Sequence, residues 1–127
     1  STFIIALALA AAPLAAGDWG TAYGTMTLPD APGNLRIYAP YTYDNGRIIG
    51  QMQIVGGAAV LQGIWVESDS GQTCESTMDG SRHWGNVTLT FDPGYTAFTG
   101  SWDYCGTGGG GNWSGSVEGT TRTLLTH

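Results

Sequence analysis

The chain has 127 residues, of which 42% are apolar and only 11% charged, with a net charge of −6 and 21 glycines. That length supports one domain with one core, and so many aromatics beside so few charges exclude a disordered acidic chain. There is no lysine, and the arginines (Arg36, Arg47, Arg82, Arg122) are scattered, so no basic patch exists for nucleic acid or an anionic membrane surface.

Residues 3–16 are uniformly apolar and end in small residues, with a helix-breaking Pro13. They read as the core of an export signal cut near Ala16 or Gly17. The stretch is short for a membrane span, which needs roughly 20 residues. If retained, it is an anchoring segment that must bury its apolar surface in lipid or a neighbouring subunit. The expected organisation is therefore a signal-like or anchoring segment over 1–16, a barrel domain over 17–118 and a tail over 119–127. The expected location is outside the cytoplasm: periplasmic, extracellular, or on the outer face of a membrane touched only through residues 1–16.

Beyond residue 16 no helical period is sustained, and period-two alternation with turn signals dominates. Strands are predicted near 21–28, 35–43, 47–55, 58–67, 82–91, 95–104 and 112–118, with 72–79 as a possible eighth. Asp44-Asn45-Gly46-Arg47 is the strongest hairpin signal, since Asn-Gly tolerates the positive φ angles of a type I′ turn. Gly56-Gly57 and Asp92-Pro93-Gly94 mark two further turns. Such short connections imply an antiparallel meander.

The triplet Gly-x-Trp recurs at 17–19, 63–65, 100–102 and 111–113. In a strand, residues i and i+2 face the same side. Gly63 and Trp65 therefore share a face with Ala59 and Leu61, and Gly100 and Trp102 with Phe98 and Tyr104. The other face reads Thr99, Ser101 and Asp103 on one strand, and Asn112, Ser114 and Ser116 on the next. The tryptophans are expected to point inward, each glycine leaving a notch for a neighbouring ring in a crowded, curved sheet. The fold class is thus all-β: a seven- to eight-stranded antiparallel meander barrel or flattened barrel with one disulfide.

Cys74 and Cys105 are the only cysteines. In an oxidising compartment they pair; buried free thiols are the alternative. With 68–81 as one long loop, both cysteines fall at the same end of the barrel. With 72–79 as a full strand they would lie a strand length apart, beyond the ~7 Å that a disulfide can bridge. The loop is preferred. It gathers Asp44, Glu67, Asp69, Glu75, Asp79 and Asp103 at one rim, together with Tyr43, Asn45 and the stretch 103–113.

The Gly-x-Trp units on short strands resemble avidin and its calycin relatives. Asn112-Trp113-Ser114-Gly115 is similar to a Trp-Ser-Gly unit of avidin-like barrels. Gly17-Asp18-Trp19, followed by Tyr23-Gly24-Thr25-Met26-Thr27-Leu28, is similar to an opening strand there. The resemblance implies a meander barrel; biotin contacts are not carried over, because the polar residues that would hold the ligand's ring and tail have no one-by-one counterparts and residues 119–127 offer no tryptophan.

No Gly-x-Ser-x-Gly elbow, HExxH or paired metal-ligand histidines occur, so no catalytic residue, cofactor or metal ligand is assigned. His83 beside Glu75 or Asp79 is the one conceivable general base. Asp44, Asp69, Glu75 and Asp79 contain no calcium-loop spacing and read as a solvated acidic rim. Aromatic residues exceed what the core obviously needs; Trp84 sits on a face otherwise made of Asn86, Thr88 and Thr90, and Tyr38 on one with Arg36. Exposed rings anchor interfaces and stack on planar ligands. Tyr43, Asn45, Trp84, Trp102, Tyr104 and Trp113 are therefore the candidate binding residues. The leading expectation is a non-enzymatic exported barrel acting by contact with a protein partner or itself, as a structural or accessory subunit. A soluble small-molecule- or glycan-binding barrel is the alternative, and a minor hydrolase the second.

Overall fold

The computed structural model describes residues 16–118. The expectations for a signal or anchor before residue 16 and for the tail 119–127 lie outside the described residues. Eight strands follow one another: β1 (Ala16–Thr21), β2 (Gly24–Pro29), β3 (Leu35–Tyr41), β4 (Gly46–Val55), β5 (Ala58–Val66), β6 (Trp84–Phe91), β7 (Ala97–Asp103) and β8 (Gly110–Val117). Each pairs antiparallel with the next, and β8 pairs with β1, closing a barrel without a free sheet edge. We call the end holding 22–23, 42–45, 67–83 and 104–109 the top.

The eighth strand is not 72–79. That stretch stays a loop, with only a Met78–Ser81 bridge inside the 67–83 connection. The extra strand is β1, because the single strand expected over 21–28 is a hairpin whose turn carries no strong turn residue at its tip. The threonine makes the turn instead. Thr21 Oγ1 accepts from Tyr23 N (3.0 Å) and donates to Gly24 O (2.8 Å), while Gly24 takes φ +90°. The Asp44-Asn45-Gly46 signal is displaced by one residue. Asp44 and Asn45 carry the positive φ angles (49° and 53°) in a 3-10 turn over Tyr43–Asn45, and Gly46 opens β4 in extended backbone. Gly56 and Gly57 turn as expected.

Alternation fills the barrel. Trp19, Met26, Leu28, Ile37, Ile48, Met52, Leu61, Trp65, Leu89, Phe91, Phe98 and Trp113 form one buried core. Its lower end is plugged by rings: Trp19 meets Phe91, Tyr95 and Phe98 at centroid distances of 5.5, 5.1 and 5.9 Å. A second, smaller cluster lies on the outer wall, where the 67–83 loop covers Val66 and Trp84 with Cys74 against Ile49 and Ile64.

The glycines beside the tryptophans serve two purposes. Some make room for a ring. A Cβ on Gly115 would lie 2.7 Å from the Phe98 ring, and one on Gly111 3.0 Å from Trp102. Gly63 instead faces Gly50 across the β4–β5 ladder, and a Cβ there would run into the Ile49 carbonyl and the Gly50 backbone. Backbones at this corner approach too closely for side chains, as a small barrel requires. Gly63→Ala is expected to cost about 1–3 kcal/mol by overpacking against atoms that cannot swing aside. Urea unfolding monitored by tryptophan fluorescence would measure it, and an unchanged midpoint would contradict the close approach.

One joint is weaker than the rest. β2 and β3 pair only at Met26–Tyr41, beside the Thr42 N–H donating to Thr25 O (3.0 Å). Below that point a cleft opens between them, lined by Thr27, Leu28, Arg36, Ile37 and Tyr38.

Candidate ligand-binding site

All four top connections converge on the open end of the barrel. The alternation that buries Trp65 also turns Glu67, two residues later, toward the axis just past the end of β5. The Glu67 backbone is pinned there: its N–H donates to His83 O (2.9 Å) and its carbonyl accepts from Ser81 Oγ (2.7 Å). Tyr41 ends β3 on the same inner face, and its hydroxyl donates to Glu67 Oε2 at 2.6 Å. Glu67 is only 7% exposed, the one buried charged or polar residue among those described. Glu67 Oε1 makes no hydrogen bond among the described residues.

Above Glu67 lies a half-enclosed cavity of about 100 Å³. Tyr23, Tyr43, Trp65, Trp102, Tyr104 and Trp113 supply its aromatic walls, and Ser70 and Gly71 of the long loop lean over one side. The rings meet edge to face. Trp102 and Tyr104 stand at 87° with centroids 5.0 Å apart, Trp65 and Trp102 at 85° and 5.9 Å, and Tyr23 and Trp113 at 82° and 4.9 Å. Such angles build a box rather than a stack. Trp65 Nε1 donates to Asp103 O (2.8 Å) and Trp102 Nε1 to Asn112 O (3.3 Å). Trp113 Nε1 is buried without a partner among the described residues, and so is Trp19 Nε1 in the sealed lower end, so this orphan does not mark the cavity. A buried N–H left unpaired costs stability unless something else accepts its bond.

The electrostatics are those of a withheld negative charge. Burial, with Asp44 adding repulsion, pushes the Glu67 carboxyl up to about 7, against the downward pull of the Tyr41 hydrogen bond and of His83. The same burial and the neighbouring carboxyl drive the Tyr41 hydroxyl far above its usual range, so it stays a donor. At the exposed mouth, Asp44 raises the Tyr43 hydroxyl. The nearby cations are occupied: Arg47 pairs with Asp79 (2.7 Å), and Arg82 Nε donates to Cys74 O (2.7 Å).

Of the residues expected to bind, Tyr43, Trp102, Tyr104 and Trp113 line this cavity. Asn45 does not; it serves the turn below the mouth. Trp84 does not either. It sits on the outer wall as its alternation predicts, but the long loop buries it, and its Nε1 donates to Ser76 O (3.0 Å). Sequence reasoning missed Tyr23, Trp65, Glu67, Ser70 and Gly71 as lining residues. The signal for Glu67 was present: a carboxyl two places beyond an inward tryptophan faces inward as well. Cys74 and Cys105 are joined, with Cα atoms 5.5 Å apart, tying the long loop to the 104–109 loop.

Other candidate chemistry resolves into local structure. His83 Nδ1 lies 3.0 Å from Ser70 Oγ and its Nε2 3.9 Å from Asp69. Ser70 Oγ, however, donates to Gln72 O at 2.7 Å, so its proton is directed into the loop backbone. No three His, Cys, Asp or Glu residues gather to hold a metal among the described residues. A larger, more open trough of about 420 Å³ runs along the outer wall over Asn86, Thr88, Ser101, Asp103 and Asn112. Its carboxylate is already engaged: Asp103 accepts from Asn86 N (2.7 Å), Gly106 N (3.1 Å) and Gly108 N (3.1 Å), shaping the 104–109 loop.

No protein-family model matches this chain, and no curated protein or solved structure is detectably similar to it. The resemblance to avidin-like barrels therefore remains one of short sequence units, the Gly-x-Trp and Trp-Ser-Gly stretches and residues 23–28. No helix among the described residues is long and apolar enough to cross a membrane.

Proposed function

We propose that this protein is a non-enzymatic small-molecule-binding barrel whose ligand enters through the top. The observation that carries this reading is the cavity itself: six aromatic walls around a buried carboxyl whose Oε1 makes no hydrogen bond among the described residues. A fold that wanted only a sealed end could fill it with rings, as the lower end does. Concave, mostly apolar sites with a few converging polar groups are the usual form of ligand sites in barrel mouths. Of the two rings on polar faces that suggested a protein-contact role, Trp84 is buried on the outer wall beneath the long loop. The large apolar side chain that remains exposed outside the cavity among the described residues is Tyr38, with Ile54, Val55 and Met78 elsewhere on the surface. The disulfide suits an oxidising compartment, in keeping with an exported protein.

The test is a fragment screen by two-dimensional NMR at millimolar concentrations, following the indole N–H signals of Trp65, Trp102 and Trp113. Ligands are expected to move these signals and leave that of Trp84, beneath its loop, unchanged. A screen in which no fragment moves a cavity signal, or in which only Trp84 responds, would remove this reading.

A further inference from the structure

The chemistry of the walls says more than that something binds. Charge comes first. The cavity contains one ionisable acid and no base: Glu67 is flanked by Tyr41 from β3, Tyr43 and Asp44 from the turn after it, Tyr23 from the β1–β2 turn and Tyr104 after β7. His83, just before β6, is the only basic group felt by the carboxyl, and its ring contacts Ser70 and the Gln72 carbonyl in the loop. Arg47, across from Tyr41, is held by Asp79. Whatever enters meets a site whose free ionisable group can only become negative.

Geometry comes second. Aromatic rings set at 82–87° to one another around a small space surround a guest with π-electron density, which favours a cation. Glu67 Oε1 adds a free acceptor at the floor. A space of about 100 Å³ is below the roughly 300–1,000 Å³ of sites that engulf whole ligands, and suits a head group whose remainder points to solvent. The net charge of −6 would also draw a cation toward the protein.

We propose that the cavity binds a small alkylammonium cation, its charged head boxed by Trp65, Trp102, Trp113 and Tyr104 above the Glu67 carboxylate. This inference rests on the ligand-binding reading above and narrows it to one chemical class. Binding is a proton exchange: protonated Glu67 releases its proton to solvent as the ammonium head takes its place. Affinity therefore rises with pH until the carboxyl is fully ionised.

Choline and 3,3-dimethylbutan-1-ol have the same shape and differ in charge, which makes them the probes, with glucose as an uncharged polar control. Each is titrated into the purified protein at pH 8 and pH 5.5, following the indole N–H signals of Trp102 and Trp113. At pH 8 choline is expected to bind at least tenfold more tightly than the alcohol. At pH 5.5 choline is expected to bind about tenfold or more weaker than at pH 8, with the alcohol unaffected. Glu67→Gln is expected to weaken the preference for charge to the part the rings supply and to abolish its pH dependence, while retaining the alcohol; the wild-type pH profile tests the inference without any variant. Equal affinities at pH 8, or a pH dependence that survives Glu67→Gln, would overturn the cation assignment. Signals that move with the alcohol or glucose but not with choline would do the same, and would leave the ligand-binding reading standing. If none of the three moves a cavity signal, the cation assignment falls, and the wider fragment screen decides whether the binding reading falls with it.

Discussion

Replacing Cys74 and Cys105 together by alanine is expected to lower stability by about 3–4 kcal/mol. The bridge closes a loop of 31 residues, and holding that loop closed in the unfolded chain removes chain entropy of this order. The loss has a place in the structure. Between the cysteines run most of the long connection, then β6 and β7, and the bridge pins the connection to the 104–109 turn. Cys74 is buried against Trp84 and Val66, so the connection shields an apolar patch of the outer wall that would otherwise meet water. Cys105 sits at φ 58°, in the left-handed region, so the bridge also holds a residue where it would not readily stay alone. Guanidinium unfolding of the double variant, with reduced wild type as a control, measures the effect. A loss below about 1 kcal/mol would mean that the connection is held by its hydrogen bonds, such as Cys74 N to Arg82 O (2.7 Å), and not by the bridge.

The second large effect is one of pH. Glu67 titrates near 7 in the folded protein, against an ordinary 4.5. Below pH 4.5 the carboxyl is protonated in both folded and unfolded chains and contributes nothing to the difference. From there upward the unfolded chain loses its proton while the folded chain keeps it. Stability therefore falls as pH rises from about 4.5 to about 7, and is flat beyond. The total for this one group is roughly 3 kcal/mol. Glu67→Gln keeps an acceptor for the Tyr41 hydroxyl and removes the titration. The variant is expected to match wild type at pH 4 and to exceed it by up to roughly 3 kcal/mol at pH 8. Taking the difference between the two proteins cancels other groups, including Asp92, whose carboxyl is held low by hydrogen bonds from Thr96 and acts in the opposite direction. A difference that does not grow with pH would show that Glu67 loses its proton over the same range in the folded as in the unfolded chain.

The barrel was legible because period two is a strong code here. Inner positions such as Ala59, Leu61 and Trp65 alternate with Val60, Gln62 and Ile64 along β5, and the structure buries the first set more deeply. The cysteines were expected to pair as the only two, that pairing favoured a loop over 68–81, and counting which end each strand reaches then placed Tyr43, Tyr104 and Trp113 at one rim. β1 was hidden for two reasons: it continues an apolar run that reads as a leader, and its turn is made by a threonine side chain rather than by glycine or proline. The position of Trp84 was legible only by half. Its parity put it outside; that a loop from the same end folds back over it depends on contacts with Ile49 and Ile64, distant in sequence. The cavity was least legible. Glu67 counted as one of several rim acids; its parity with Trp65 turns it inward, but just past a strand's end parity alone does not separate a buried acid from one in water. The Tyr41 contact that does so spans 26 positions.

The thin joint between β2 and β3 bears on how this molecule moves. Its single pairing, Met26 with Tyr41, lies at the upper end, and Tyr41 is the residue that grips Glu67. The two strands can therefore part like the blades of a clothes-peg whose spring sits at the closed end. Water can work its way in from beneath, past Leu28 and Ile37, while the collar around the carboxyl keeps its spacing. Opening of this flank would therefore be mechanically separate from the Tyr41–Glu67 contact.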